Sequence, residues 1–224
     1  MKSDLNKIKE VAIGFLNLDI HETDFPFVIS HPFFSSSYIS YNNKIVNFLE
    51  KTEIYDSILE EYTARIRNAK TIAHIISMIQ KNYRLAFLKY IKEYLSEKDF
   101  GYYLGIIWTE SENPNQDPNV KLFEIIKWFK SADKESLMND GELKIYNQLP
   151  EKLKVYRGVA VDRKHDGISW TMNYEEAVWF SNRFNRSNKT GYIRSGYIDK
   201  KDVLVFFNRR GEDEIVIDVK KLKE

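Results

Sequence analysis

The spacing of the apolar residues changes near residue 150, and that change constrains the fold more than any other feature of the chain. From residue 43 to about 97 they recur at helical spacing. Ile45, Phe48 and Leu49 open one stripe, Ile54, Ile58 and Leu59 continue it, and Leu85, Phe87, Leu88, Ile91 and Leu95 form another. Steps of three and four put such residues on one helix face, and the absence of Gly and Pro from this stretch predicts about two to four helices. Ahead of it, Phe25-Pro26-Phe27 and His31-Pro32-Phe33-Phe34 are interrupted by proline and read as irregular chain packed through aromatics. Asn113-Pro114-Asn115-Gln116-Asp117-Pro118 is the strongest loop signal. A second helical block follows over residues 120–131, with Leu122, Ile125, Ile126 and Phe129 as its stripe, and a short helix over 133–146.

Beyond Asn147-Gln148-Leu149-Pro150 the period becomes two, with β-rich runs over 153–159, 192–198, 203–207 and 214–219. A helix fits over 174–184, with Asn173 as its N-cap. The expectation is an α+β protein: a helical N-terminal region, then a compact core built on a mixed β-sheet, with the change of pattern at residues 147–152.

Composition narrows the function classes. The 224 residues include no cysteine, which excludes disulfides, cysteine nucleophiles and thiolate metal sites. No apolar run approaches the roughly 18 residues of a membrane span, and no apolar segment follows Lys2 as in a secretory signal, so no membrane partner and a cytoplasmic location are expected. Residues 151–224 carry a net charge of +4 and residues 1–150 one of −3. A positive bias suits a dinucleotide phosphate or a nucleic acid, and ordinary surface charge produces it equally. His21, His31, His74 and His165 show no ligand spacing, so no metal is expected.

Three short segments of the second half carry groups suited to chemistry. Val155-Tyr156-Arg157-Gly158 ends a β-run in arginine and glycine. Such an arginine serves a surface ion pair, or a guanidinium fork gripping a diphosphate where Gly158 permits close approach. In Ser169-Trp170-Thr171 the two hydroxyls are two residues apart, so a strand turns both to one side. They suit a β-edge leading into a helix cap, or the lining of a small pocket. In Arg209-Arg210-Gly211-Glu212-Asp213-Glu214, Glu212 and Glu214 are also two apart where a strand begins. They form a solvated edge, or project together into a cleft.

The order Tyr-Arg-Gly, Ser-x-Thr, Glu-x-Glu resembles the Arg–Ser–Glu mono-ADP-ribosyltransferases, which include the clostridial binary toxins and the vertebrate arginine-specific ectoenzymes. Arg157 matches that family's NAD-holding arginine, Ser169-Trp170-Thr171 its Ser-Thr-Ser strand, and Glu212-Asp213-Glu214 its Glu-x-Glu. Trp170 stands where the family has threonine. The run from Trp108 onward also resembles phage and bacterial relatives, so the resemblance covers about half the chain. It implies a division into a helical region of unknown role (1–107), a helical lead-in (108–150) and an NAD-binding core (151–224).

The same resemblance implies the chemistry. NAD is a substrate whose nicotinamide–ribose bond breaks through an oxocarbenium-like transition state, which a nearby carboxylate stabilises more than it does the ground state. Glu214 is the implied carboxylate, on the nicotinamide-ribose hydroxyl. Arg157, with Gly158, clamps the diphosphate; Ser169 fixes Glu214 and, with Thr171, shapes the nicotinamide pocket; Glu212 positions the acceptor. Residues 208–211 are the implied acceptor loop and 185–190 a lid over NAD. Glu-x-Glu implies a protein arginine as acceptor. A base in RNA or DNA is the alternative, followed by simple NAD hydrolysis and by a non-catalytic binding module of the same fold. The first 107 residues recognise the target, cover the site or bind an antitoxin-like partner. A role as toxin or effector in phage–bacterium conflict is expected by analogy alone.

Overall fold

Side chains and turns decide where each element begins in the computed structural model, which describes residues 2–161, 167–183, 191–209 and 211–223. The chain folds as two compact units, Met1–Ser96 and Glu97–Glu224.

In the first unit, α1 (Leu5–Leu16) starts where the Asp4 carboxylate accepts from the amides of Asn6 and Lys7. Two antiparallel ribbons follow, β1 (His21–Glu22) with β2 (Ile29–Ser30), and β3 (Tyr38–Tyr41) with β4 (Lys44–Asn47). The second ribbon corrects the expectation of a helical stripe beginning at Ile45, which lies in β4. Asn42 and Asn43 both adopt positive φ, 48° and 59°, the geometry of a tight hairpin turn that asparagine tolerates better than most residues. Three helices complete the unit: α2 (Thr52–Asn68), α3 (Ile72–Met78) and α4 (Arg84–Ile91). Their core holds Ile66, Ile75, Leu85, Phe87, Leu88 and Ile91, as the helical spacing requires. His31 is buried against the Phe34 ring, and burial holds its pKa below the ordinary histidine value, consistent with a structural role.

The second unit opens with α5 (Glu97–Glu110), which crosses the expected division at 107/108 and so places Trp108 inside a helix. Gly101 and Gly105 are one turn apart on α5 and give close access to α7. A Cβ on Gly101 would lie 3.0 Å from that of Ser136, and one on Gly105 would strike the Leu137 carbonyl. After the loop come α6 (Leu122–Ser131), α7 (Lys134–Leu137) and α8 (Asp140–Gln148). Then follow β5 (Lys152–Val159), β6 (Ser169–Thr171), α9 (Tyr174–Asn182), β7 (Tyr192–Asp199), β8 (Val203–Phe207) and β9 (Glu214–Ile217).

These five strands form one sheet in the order β7-β5-β6-β9-β8. Every described pairing is antiparallel, which corrects the expected mixed sheet. The β6–α9–β7 crossover does join two strands of the same direction, but β5 lies between them, so they never pair. In β5 exposed Lys152 and Lys154 alternate with buried Leu153 and Val155, whereas all of β8 is buried. No helix among the described residues is long and apolar enough to cross a membrane.

Lys134, at the start of α7, donates from Nζ to the Leu204 carbonyl of β8 and lies 5.3 Å from the centre of the Tyr146 ring. Burial lowers its pKa to about 8. Between about pH 8 and the ordinary value near 10.5 the unfolded chain therefore binds the extra proton, and stability rises with pH there. Lys134→Met removes that titration. Urea unfolding from pH 7 to 10 is expected to show the difference between wild type and variant moving towards wild type above pH 8, with a slope no steeper than about 1.4 kcal/mol for each step of one in pH. A flat difference would remove the burial argument.

Candidate active site

Three adjacent strands carry the residues of interest. Tyr156 of β5 lies opposite Thr171 of β6, Thr171 opposite Glu214 of β9, and Glu214 opposite Phe207 of β8. Directly opposed residues share a face, so this row crosses the sheet on one side. Ser169, two residues before Thr171, joins the same face, across from Val216.

Glu214 heads β9 half-buried, and its Oε1 accepts a 2.9 Å hydrogen bond from the indole Nε1–H of Trp108. Trp108 is 1% exposed and sits edge-on to Phe129, ring centres 5.2 Å apart. A donor fixed by packing on all sides holds that carboxylate oxygen in one orientation. Ser169 Oγ accepts from Asn115 Nδ2 at 3.1 Å, and Asn115 Oδ1 accepts from the Ile168 amide at 2.7 Å. Asn115 belongs to the 3-10 turn Pro114–Gln116, next to Asp117, whose carboxylate accepts from the amides of Asn119 and Val120. The loop expected at 113–118 therefore holds the start of β6 in place. The described bonds give Ser169 to Asn115, and it is Thr171 that lies across from Glu214.

Arg157 follows Tyr156, so strand alternation turns it away from the row of Tyr156, Thr171 and Glu214. Its guanidinium lies at the N-terminal end of β6, where NH1 donates to the Ser169 carbonyl at 2.5 Å. Gly167 leaves the room for it, since a Cβ there would overlap the guanidinium. Gly158 admits α9 instead: a Cβ at that position would collide with the Ala177 carbonyl and the Ser181 amide. Trp170 points into the core with its indole N–H on the Gly167 carbonyl, so the bulky ring lies on the face opposite the two hydroxyls, of which Thr171 is itself buried.

Glu212 does not pair with Glu214 as the spacing of two implies. Asp213 adopts φ +40° and Gly211 φ +71°, so the chain turns before β9 begins at Glu214 and the strand alternation does not reach Glu212. Glu212 and Asp213 instead lie near Glu176 in the first turn of α9. Glu176 Oε2 accepts from Thr171 Oγ1 at 2.8 Å. Burial raises the Glu176 carboxyl above its ordinary range, and the charges of Asp213 and Glu212 add to that rise against the Thr171 bond. Thr171 thus stands between two carboxylates, Glu214 across the strand and Glu176 at its hydroxyl.

Arg209, expected as an acceptor-loop cation, is a structural residue. It bonds through Nε to Glu142 Oε2 at 3.4 Å and through NH2 to the Leu137 carbonyl at 2.7 Å. Glu142 is 2% exposed, closes the capping box of α8 with Asn139, and also accepts from the Asn208 amide at 2.9 Å. One buried carboxylate thereby ties the turn before Glu214 to two helices. Arg210, His165 and the expected lid at 185–190 lie outside the described residues.

Trp108, Asn115, Glu142 and Glu176 were not singled out from the sequence. The Asn139-x-x-Glu142 capping pattern was a readable signal for one of them; the bonds of Trp108 and Asn115 span 106 and 54 residues and leave no local trace. Among the described residues no group of three or more His, Asp or Glu side chains is placed to hold a metal ion. Comparison with protein-family models, characterised proteins and solved structures finds no match to this chain.

Replacing Glu142 by alanine leaves Arg209 part-buried without its carboxylate and removes the α8 cap. The expected loss is about 3–5 kcal/mol of stability, measured by urea unfolding, with Glu142→Gln falling between the two. A loss under about 1 kcal/mol would show that the pair behaves as a solvated one.

Proposed function

We propose that the chain is an NAD-dependent mono-ADP-ribosyltransferase with Glu214 as its principal catalytic carboxylate. The observation that carries this reading is the position of Glu214 on a central strand, gripped by the buried indole of Trp108 and directly across from Thr171. A carboxylate fixed before substrate arrives does not have to reorganise as positive charge develops on the ribose, and such preorganisation is the main source of electrostatic catalysis. Ser169 on the same face supplies a hydroxyl for the nicotinamide end. Arg157 is the cation for the diphosphate in this reading; its side chain leaves β5 on the face opposite Glu214 and its guanidinium reaches the N-terminal end of β6, so the diphosphate would meet it around that strand end.

Two acceptors fit this centre. A protein arginine is the acceptor that Glu-x-Glu implies, with Glu212 orienting it. The turn at Asp213 favours the second reading, a nucleic-acid base, because it carries Glu212 out of the strand that presents Glu214. A role against a host or competing cell, with an antitoxin-like partner, remains part of the proposal on analogy alone.

The test is incubation of the full chain with labelled NAD and a cell lysate, followed by separation into protein, nucleic acid and free ADP-ribose. Label in a macromolecular fraction is expected, with turnover lower by roughly a few hundred-fold in Glu214→Gln and by about tenfold in Trp108→Phe, which removes the hydrogen bond together with part of the buried ring, circular dichroism verifying that the fold is kept. Free ADP-ribose as the sole product would make the protein an NAD hydrolase. The absence of turnover in wild type, or equal turnover in Glu214→Gln, would leave a binding module of this fold.

A further inference from the structure

The face that carries Glu214 continues across β5 and β7 as an open surface. Helix α9 covers only its Gly158 end, where that glycine lets the helix backbone down onto the strand. Beyond this point the exposed residues of β5 are Lys152 and Lys154, with Tyr156 half-buried beside them, and Tyr197 and Ser195 lie directly opposite on β7. Tyr197 is 44% exposed. Lys152 Nζ stands 4.8 Å from the centre of the Tyr197 ring, and Lys154 Nζ 5.5 Å from that of Tyr156. Tyr174, half-exposed on the first turn of α9, meets Tyr156 edge-on with ring centres 5.3 Å apart. Asp199 is the one acidic side chain of the described β5–β7 face, and it is bonded to Lys223 at 2.8 Å.

We infer that this open half of the sheet binds single-stranded RNA, with bases stacked on Tyr197 and Tyr156 and phosphates at Lys152 and Lys154. A ring beside a lysine on a flat antiparallel face matches the two parts of an unpaired nucleotide, a π-face and an adjoining anion, and every base offers that π-face. A protein partner for two lysines would be acidic and would have no use for exposed rings between them. Ser195 and Tyr197 place two hydroxyls on the same face, and a 2′-hydroxyl both donates and accepts hydrogen bonds with such groups. The row Ser195–Tyr156–Thr171–Glu214 joins the platform to the candidate carboxylate. Two strand spacings, about 10 Å, separate Tyr156 from Glu214. A strand laid on the platform therefore leads a neighbouring nucleotide towards Glu214, which makes RNA the acceptor class. That last step rests on the proposed transfer reaction, whereas the binding itself does not.

Fluorescence anisotropy with a labelled ten-nucleotide single-stranded RNA, no NAD present, tests the binding separately from turnover. The full chain is expected to bind it, with about tenfold loss in Tyr197→Ala. In the double variant Lys152→Ala/Lys154→Ala the slope of log K against log salt should fall by about 0.7 per lysine. All three side chains are exposed, so the variants keep the fold, which circular dichroism verifies. Binding that is unchanged in both variants, or equally tight for a duplex or for single-stranded DNA of the same sequence, would overturn the inference. RNA binding of this kind with no NAD turnover would leave the platform standing and remove the transfer reaction; NAD turnover without RNA binding would do the reverse.

Discussion

Strand β6 is only three residues long and is paired on both sides, so the register of the whole sheet passes through Ser169, Trp170 and Thr171. A slip of one residue would turn Thr171 and Ser169 away from the face that carries Glu214 and bring Trp170 onto it. Three ladder positions alone do not define a register strongly. The side chains do so: the Trp170 indole is buried and bonded to the Gly167 carbonyl, Asn115 bonds to both Ser169 and the Ile168 amide, and Arg157 bonds to the Ser169 carbonyl. The indole is the strongest of these constraints, because no exposed position accepts a residue of that size without losing a large buried area. The residue that departs from the Ser-Thr-Ser pattern is therefore the one that fixes the two hydroxyls flanking it.

Three carboxylates of the second unit show how burial is reconciled with charge in different ways. Glu142 is almost fully enclosed and is matched by two main-chain amides and a guanidinium, an arrangement that satisfies both oxygens. At Glu176 burial, with the charges of Asp213 and Glu212, outweighs the Thr171 hydroxyl bond, so its neutral form gains ground, as the upward shift of its carboxyl reflects. Glu214 accepts from a buried indole, a neutral donor that orients one of its oxygens.

The division between what the sequence disclosed and what it concealed follows the range of the interactions. Alternation of lysine with leucine and valine in β5, the Asn173 cap of α9 and the apolar run of β8 are local, and each element lies where its own residues put it. Helix α5 escaped notice because Gly101 and Gly105 weaken a helical pattern, and their purpose, contact with α7, is visible only in three dimensions. Ile45 kept helical spacing with Phe48 and Leu49 and yet sits in a hairpin, because the Asn42–Asn43 turn overrides a short stripe. Glu212 and Glu214 keep the spacing of a strand, but one residue at positive φ between them cancels the inference. Arg157, Ser169, Thr171 and Glu214 were recognisable as candidates in order, whereas their partners Trp108 and Asn115 come from a helix and a loop far back along the chain.

Gly158 connects the fold to the use of its surface. Helix α9 must return the chain from β6 to β7 across β5, and it rests on the sheet only where no side chain rises to meet it. A residue with a Cβ at 158 would lift the helix away from the Ala177 and Ser181 contacts, and with it Glu176 and the first-turn Tyr174. The same glycine confines α9 to one end of the sheet, so Tyr156, Tyr197 and the lysines beside them stay open rather than becoming a second buried face. A sheet covered on both sides along β8 but, along β5 and β7, on one side and only the Gly158 end of the other has an asymmetry that core packing does not require. Its open quarter lies on the face of the half-buried carboxylate, which is where a surface that positions a macromolecule for reaction has to be.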